Sequence, residues 1–265
     1  MRNPKVLILH ANGTNRDRDA ALACQMAGGD PEIVHINQLV SGARRVADYH
    51  MLVVPGGFSY GDDLGAGVLW AADLRHLLGE QLDKFVASGR PVLGICNGFQ
   101  VLVKMGLLTG DWGLATGDTS LVPSPSSPPS RPITLTYNAS AHFECRWVTL
   151  EPNPNSHCLF TQGLTEPIEC PVAHGEGRFL VRDEATAAYL RDNNLITLTY
   201  AGEGYPANPN GSALNIAGVC NAQGNVMGLM PHPEDHIWPW QHPQAHHGRG
   251  RFSGLPLFVN GIKGA

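Results

Sequence analysis

No stretch of this 265-residue chain approaches the roughly 18 consecutive apolar residues that a membrane-spanning helix needs. Its first apolar run, Val6-Leu7-Ile8-Leu9, is too short for an export signal and stops at Asn12-Gly13. The expectation is a cytoplasmic protein. Cysteine is scarce, and no two of the six cysteines stand as CxxC, which removes support for zinc-ribbon and thioredoxin readings. In a reducing compartment most of them serve as small buried apolar residues, and the sequons at Asn12, Asn138 and Asn210 are chance matches. Charged residues are few, at 15%, and the net charge is -5, so nothing suggests nucleic-acid or anionic-membrane binding. No GxxxxGK(S/T) loop occurs to cradle a phosphate.

Apolar residues, at 43%, suffice for a packed core. Short apolar runs at 5–9, 32–36, 50–55 and 91–95 read as strands, and 16–26, 69–88 and 99–108 read as helices. Strands alternating with helices predict an α/β fold: a doubly wound, mostly parallel sheet with helices on both faces. Further runs at 133–137, 146–150, 196–200 and 216–220 add partly antiparallel strands. Residues 117–132 carry five prolines and several serines, which predicts an extended surface loop rather than a boundary. One domain is therefore expected over 1–265, with a His- and Trp-rich tail at 237–265.

Ligands of such sheets bind beyond the carboxyl ends of the strands, where two motifs fall. Gly94-Ile95-Cys96-Asn97-Gly98 follows a strand and opens a helix, the pattern of a nucleophile elbow. The helix N-terminus favours a thiolate on Cys96, and the Asn97 N–H is placed for an oxyanion. Gly56 and Gly57 end another strand and let the backbone approach a ligand. His232, after the apolar run 226–230, can move protons near neutral pH. Glu234 can orient its imidazole. The sequence therefore nominates Cys96 as nucleophile, with His232 and Glu234 as its support.

These residues resemble the class I glutamine amidotransferases, whose C-x-G-x-Q and H-P-E motifs match Cys96-Asn97-Gly98-Phe99-Gln100 and His232-Pro233-Glu234. Within that class, Pro55 to Asp62, Gly94 to Gln100, Asn138-Ala139-Ser140, Phe143 to Arg146, Pro171 to Phe179, and Asn208 to Ser212 with Ile216 to Gly218 are similar to one branch. It comprises the glutaminase subunits of phosphoribosylformylglycinamidine synthase. The resemblance implies that Cys96 attacks the side-chain amide of L-glutamine, and that His232, aided by Glu234, handles the protons. Gly57 and Asn97 would hold the oxyanion, and Gln100 would contact glutamine. It also implies a large synthetase subunit that receives the ammonia and a small bridging subunit. ATP and Mg2+ would be used by the partner, and no cofactor or metal would be bound by this chain. His174 and Glu176 would either line the glutamine site or face the partner, though a hydrogen-bonded turn accounts for them equally.

The chain departs from the branch at Asp63-Leu64-Gly65, where an aromatic residue and an arginine are common, and at Asp235-His236, where arginine often follows the glutamate. An alternative is a PfpI-like cysteine stress protein or redox sensor, which shares the elbow; against it, Asn97 rather than His follows the cysteine. A metal site built from His232, His236, His242, His246 and His247 is a further reading.

Overall fold

The computed structural model describes residues 3–109 and 132–265. The Pro/Ser-rich loop lies outside the described residues apart from Pro132. In chain order the elements are β1 (Lys5–His10), α1 (Asp17–Met26), β2 (Asp30–His35), α2 (Ile36–Val40), β3 (Met51–Val54), α3 (Val68–Ala87), β4 (Val92–Ile95) and α4 (Asn97–Met105). Then follow β5 (Ile133–Thr136), β6 (Glu144–Pro152), β7 (Ile168–His174), β8 (Arg178–Val181), α5 (Glu184–Asp192), β9 (Ile196–Tyr200), β10 (Ile216–Cys220), β11 (Val226–Leu229) and α6 (Leu255–Lys263).

A nine-stranded sheet runs β2-β1-β3-β4-β11-β10-β9-β6-β7. From β2 to β11 every neighbouring pair is parallel; from β11 to β7 every pair is antiparallel. Strands β3, β4, β10 and β11 are buried along their whole length, which is why they read as unbroken apolar runs. β5 stands apart, pairing with β8 in a second, two-stranded sheet.

The chain winds from β1 outward to β2, then back past β1 to β3 and β4. Right-handed crossovers put α1 on one face and α3 on the other. The packing agrees: α1 meets α6, while α3 meets α2 and α4. α3 turns Trp70, Leu74, Leu78, Leu82 and Phe85 inward, near the helical repeat. Leu77, on the same helix, is exposed.

The register of the parallel half carries the site. Gly94 sits between Val54 and Gly228, and Ile95 is level with Leu229. The Cys96 N–H extends the ladder by one bond, donating to the Leu229 carbonyl at 2.8 Å. Three adjacent strands thus release Gly56, Cys96 and His232 from one edge. The helix after Cys96 starts at Asn97, two residues before the apolar pattern predicts, and passes so close to β3 that a Cβ on Gly98 would lie 1.8 Å from the Val54 carbonyl oxygen.

A Gly98→Ala variant should therefore lose about 3 kcal/mol or more of stability, seen as a lower urea midpoint with an unchanged slope. Gly106→Ala is the control. That residue caps α4 at φ 75° with nothing near its missing Cβ, so the loss should be only the ~1–2 kcal/mol of left-handed strain.

Candidate active site

Cys96 sits at φ 49°, ψ −106°, outside the regions an L-residue favours. Such a conformation costs on the order of 1–3 kcal/mol and persists only where the surroundings impose it. Here the β4 ladder holds one side and α4 the other. The result projects the side chain beyond the strand end, where the thiol donates to the Ala173 carbonyl at 3.8 Å. Asn97 is the first residue of α4, so its N–H has no partner within the helix.

His232 is buried, and its own N–H donates to the Pro171 carbonyl at 2.8 Å, which ties it to β7. Its Nδ1–H donates to Glu234 Oε1 at 2.8 Å. Its Nε2 is buried without a hydrogen-bond partner. Burial pushes the imidazole pKa down, but the Glu234 carboxylate and the Cys96 sulfur outweigh it and raise the pKa well above the ordinary value. Gly56 packs flat against the ring; a Cβ there would lie 2.7 Å from His232 Cε1. The nominated sulfur, imidazole and carboxylate are thus brought together in the arrangement used for nucleophilic acyl transfer.

Arg16 Nη2 lies 3.4 Å from Asp235 Oδ2. Burial and the charge of Glu234 push the Asp235 carboxyl up to about 6. The acidic residue that departs from the family pattern therefore meets a cation supplied from the start of α1.

A cavity of about 220 Å³ opens beside the sulfur, lined among others by Gly57, Asp62, Gln100, His174 and Glu176. Gln100 lines it, but its amide is already engaged. Nε2 donates to the Glu176 carbonyl at 2.7 Å, and Oε1 accepts from Asn97 Nδ2 at 3.0 Å. His174 is also fully partnered: Nδ1–H donates to Asn138 Oδ1 at 3.1 Å, and Nε2 accepts from Asn210 Nδ2 at 3.5 Å. Burial and the facing His232 hold its pKa down at about 3, so it is neutral. Asn138 and Asn210, noted as sequons and within family-like segments but given no role, are buried struts of this site. Asp62 and the side chain of Asn97 were likewise missed; they stood inside quoted motifs, yet spacing alone gave them no task.

The other histidines do not assemble a metal centre: among the described residues no group of His, Cys, Asp and Glu is arranged to hold an ion. His236 is occupied by the carbonyls of Glu169 and Gly250. His232 and His236 flank a short 3-10 turn rather than a helix. All six cysteines are free, and only Cys145 is exposed.

Residues 3–263 match the CobB/CobQ-like glutamine amidotransferase domain, and the chain belongs to that family. It is 49% identical over 244 residues to phosphoribosylformylglycinamidine synthase subunit PurQ of Treponema denticola, across 88% of each chain. It is 41% identical over 274 residues to the same subunit of Dehalococcoides mccartyi, across 100% of this chain and 99% of that one. Among solved structures, a chain of PurLQS from Thermotoga maritima superposes with a TM-score of 0.71 at 30% identity, covering 98% of both chains.

The neutral state of His174 gives the protein an acid limb. The unfolded chain binds a proton at this residue below about pH 6.5, whereas the folded one does so only near 3. Stability is complete above the unfolded value and falls as pH drops between the two, by about 1.4 kcal/mol per unit. His174→Gln should flatten that limb in urea melts taken from pH 7 to pH 4.

Proposed function

We infer that this chain is the glutaminase subunit of phosphoribosylformylglycinamidine synthase, hydrolysing L-glutamine and passing ammonia to a synthetase partner. The observation that carries this reading is the convergence of Cys96, His232 and Glu234 at adjacent strand ends, in a chain aligned along nearly its whole length with that subunit.

The proposed chemistry follows from the site. The Cys96 sulfur adds to the carboxamide carbon. The resulting oxyanion is received by the N–H groups of Asn97 and Gly57, which lie at the mouths of α4 and β3. Protonated His232 gives its Nε2 proton to the departing nitrogen, which leaves as ammonia and a glutamyl thioester remains. His232, now neutral, accepts a proton from water as the water oxygen attacks the thioester carbon. Collapse of that second intermediate releases glutamate and restores the sulfur. Glu234 keeps the Nδ1–H pinned throughout and compensates the imidazolium charge.

ATP and Mg2+ belong in this proposal to a large synthetase subunit that aminates formylglycinamide ribonucleotide, with a small subunit bridging the two. The Thermotoga assembly named PurLQS supports that division. No helix among the described residues is long and apolar enough to cross a membrane, and we propose a cytoplasmic location. The stress-protein reading loses to the family match.

Two outcomes test this. Cys96→Ser should abolish glutamine-dependent amination by the assembled complex while leaving ammonia-dependent amination within about twofold. Equal loss of both, with assembly intact, would refute it. Free subunit should hydrolyse glutamine at least tenfold more slowly than subunit in the complex, because closure on the partner completes such sites. A glutamate-release assay with and without partner decides the point.

A further inference from the structure

The turn that carries Glu234 has a second carboxylate on it. Pro233–Asp235 is a single 3-10 turn, and the Asp235 N–H donates to the His232 carbonyl at 3.2 Å. Asp235 is half-buried, so its charge acts on its neighbours. Burial, then the charges of Glu234 and Asp235, push the Cys170 thiol up; burial and Glu234 push Asp235 itself up to about 6. Above that pH two adjacent carboxylates stand beside one imidazole. Glu234 uses its charge to orient and compensate His232. A second anion left free there would hold the imidazolium proton too firmly for transfer.

Arg16 meets that charge from across the fold. It directly precedes α1, and its N–H donates to the Gly56 carbonyl at 3.3 Å. Its Cγ would lie 3.4 Å from a Cβ on Gly56, the same Cβ that would strike the His232 ring. The arginine stem therefore runs past the glycine that faces the imidazole. Beyond it the guanidinium reaches two carboxylates, Asp235 at 3.4 Å through Nη2 and Asp19 at 3.5 Å through Nη1. The other ionisable neighbours of the turn do not take its place. On β7, Cys170 is a neutral thiol and His174 a neutral imidazole. At the mouth of α4 the Cys96 sulfur is engaged with His232. His236 is held by the carbonyls of Glu169 and Gly250. α6 packs on the same turn, but its one charge, Lys263, stands in its last turn. Of the groups named, Arg16 is the permanent cation paired with Asp235.

We propose that Arg16 is a positioning residue for the reaction: its guanidinium holds and neutralises Asp235, which leaves Glu234 as the anion that sets the charge on His232. This rests on the glutaminase reading and adds what tunes its acid–base group. Protonated His232 has to release its Nε2 proton to the departing nitrogen and then take one from water. An imidazolium held by two free anions does neither well; one held by a single carboxylate does both. Removing either half of the pair biases the ring in a fixed direction. Without the guanidinium, a negative charge is added and the imidazolium is favoured. Without the Asp235 carboxylate, a positive charge is added and the neutral ring is favoured. Removing both returns the balance.

Two titrations of Arg16→Gln, Asp235→Asn and the double variant test this. One follows the His232 ring by NMR in the full chain, its signal assigned by loss in His232→Gln. The other follows kcat/KM for glutamate release from L-glutamine by the complex assembled with its synthetase partner. Arg16→Gln should move the ring titration and the alkaline limb of the rate profile up by about half a pH unit, since solvent screens a partly exposed guanidinium. Asp235→Asn should move both down by about as much, and the double variant should return both to within about 0.2 of wild type. Arg18→Gln removes the same charge from an exposed position in the first turn of α1 and should leave both in place. Shifts of one sign in the two single variants, unmoved titrations, or an equal shift in Arg18→Gln overturn the proposal while the glutaminase reading stands. A wild-type complex that releases no glutamate, with the ring titrations shifting as stated, overturns glutamine as the substrate and leaves the charge balance at His232 intact.

Discussion

The pairing of β4 with β11 is the constraint on which the rest depends. These strands are far apart in sequence, yet Ile95 and Leu229 are level. The next residue of β4 is the cysteine, and three residues beyond Leu229 comes the histidine. A one-residue slip would turn every side chain of a strand to the other face and separate the sulfur from the imidazole. Burial of both strands penalises that slip, because each apolar side chain of Leu or Val size is worth about 1.5–3 kcal/mol inside. Core packing thereby aligns the chemistry.

The site stores electrostatic cost that the fold has to offset. Glu234 is fully buried and has one oxygen without a hydrogen bond; an isolated carboxylate there would be strongly disfavoured. The imidazolium it stabilises is its compensation, so acid and base are held as a unit. Across the cavity the opposite solution is used. His174 is kept neutral between two asparagines, which avoids setting a second cation near His232. Two histidines a short distance apart thus carry opposite tendencies, set by their neighbours alone.

Much of this was readable beforehand. Strands β1, β3 and β4 announced themselves as continuous apolar runs, the elbow and the glycine turn each fell at a strand end, and the His-Pro-Glu segment followed a further apolar run. What sequence reading missed has physical reasons. β7 contains Pro171, a residue that argues against a strand; it is tolerated because β7 is the outermost strand and has a side with no ladder to maintain. α2 spans five residues, too few for a periodic signal. α5, too, was passed over, although Asp183 caps it through the Thr186 N–H. The roles of Asn138, Asn210 and Asp62 come entirely from contacts across the fold, and no local pattern encodes a partner dozens of residues away.

The outermost position of β7 has one more effect. A strand at the margin of a sheet offers bare N–H and C=O groups that invite another chain to add itself. Here the segment after the glutamate folds back across that margin: the Glu169 N–H donates to the Phe252 carbonyl at 2.7 Å, His236 caps the Glu169 carbonyl, and His242 lies 3.7 Å from the Glu169 carboxylate. Trp147 packs edge-on against both imidazoles. Through His236, His242 and Phe252 the tail thus forms a selvedge along the stretch of β7 around Glu169.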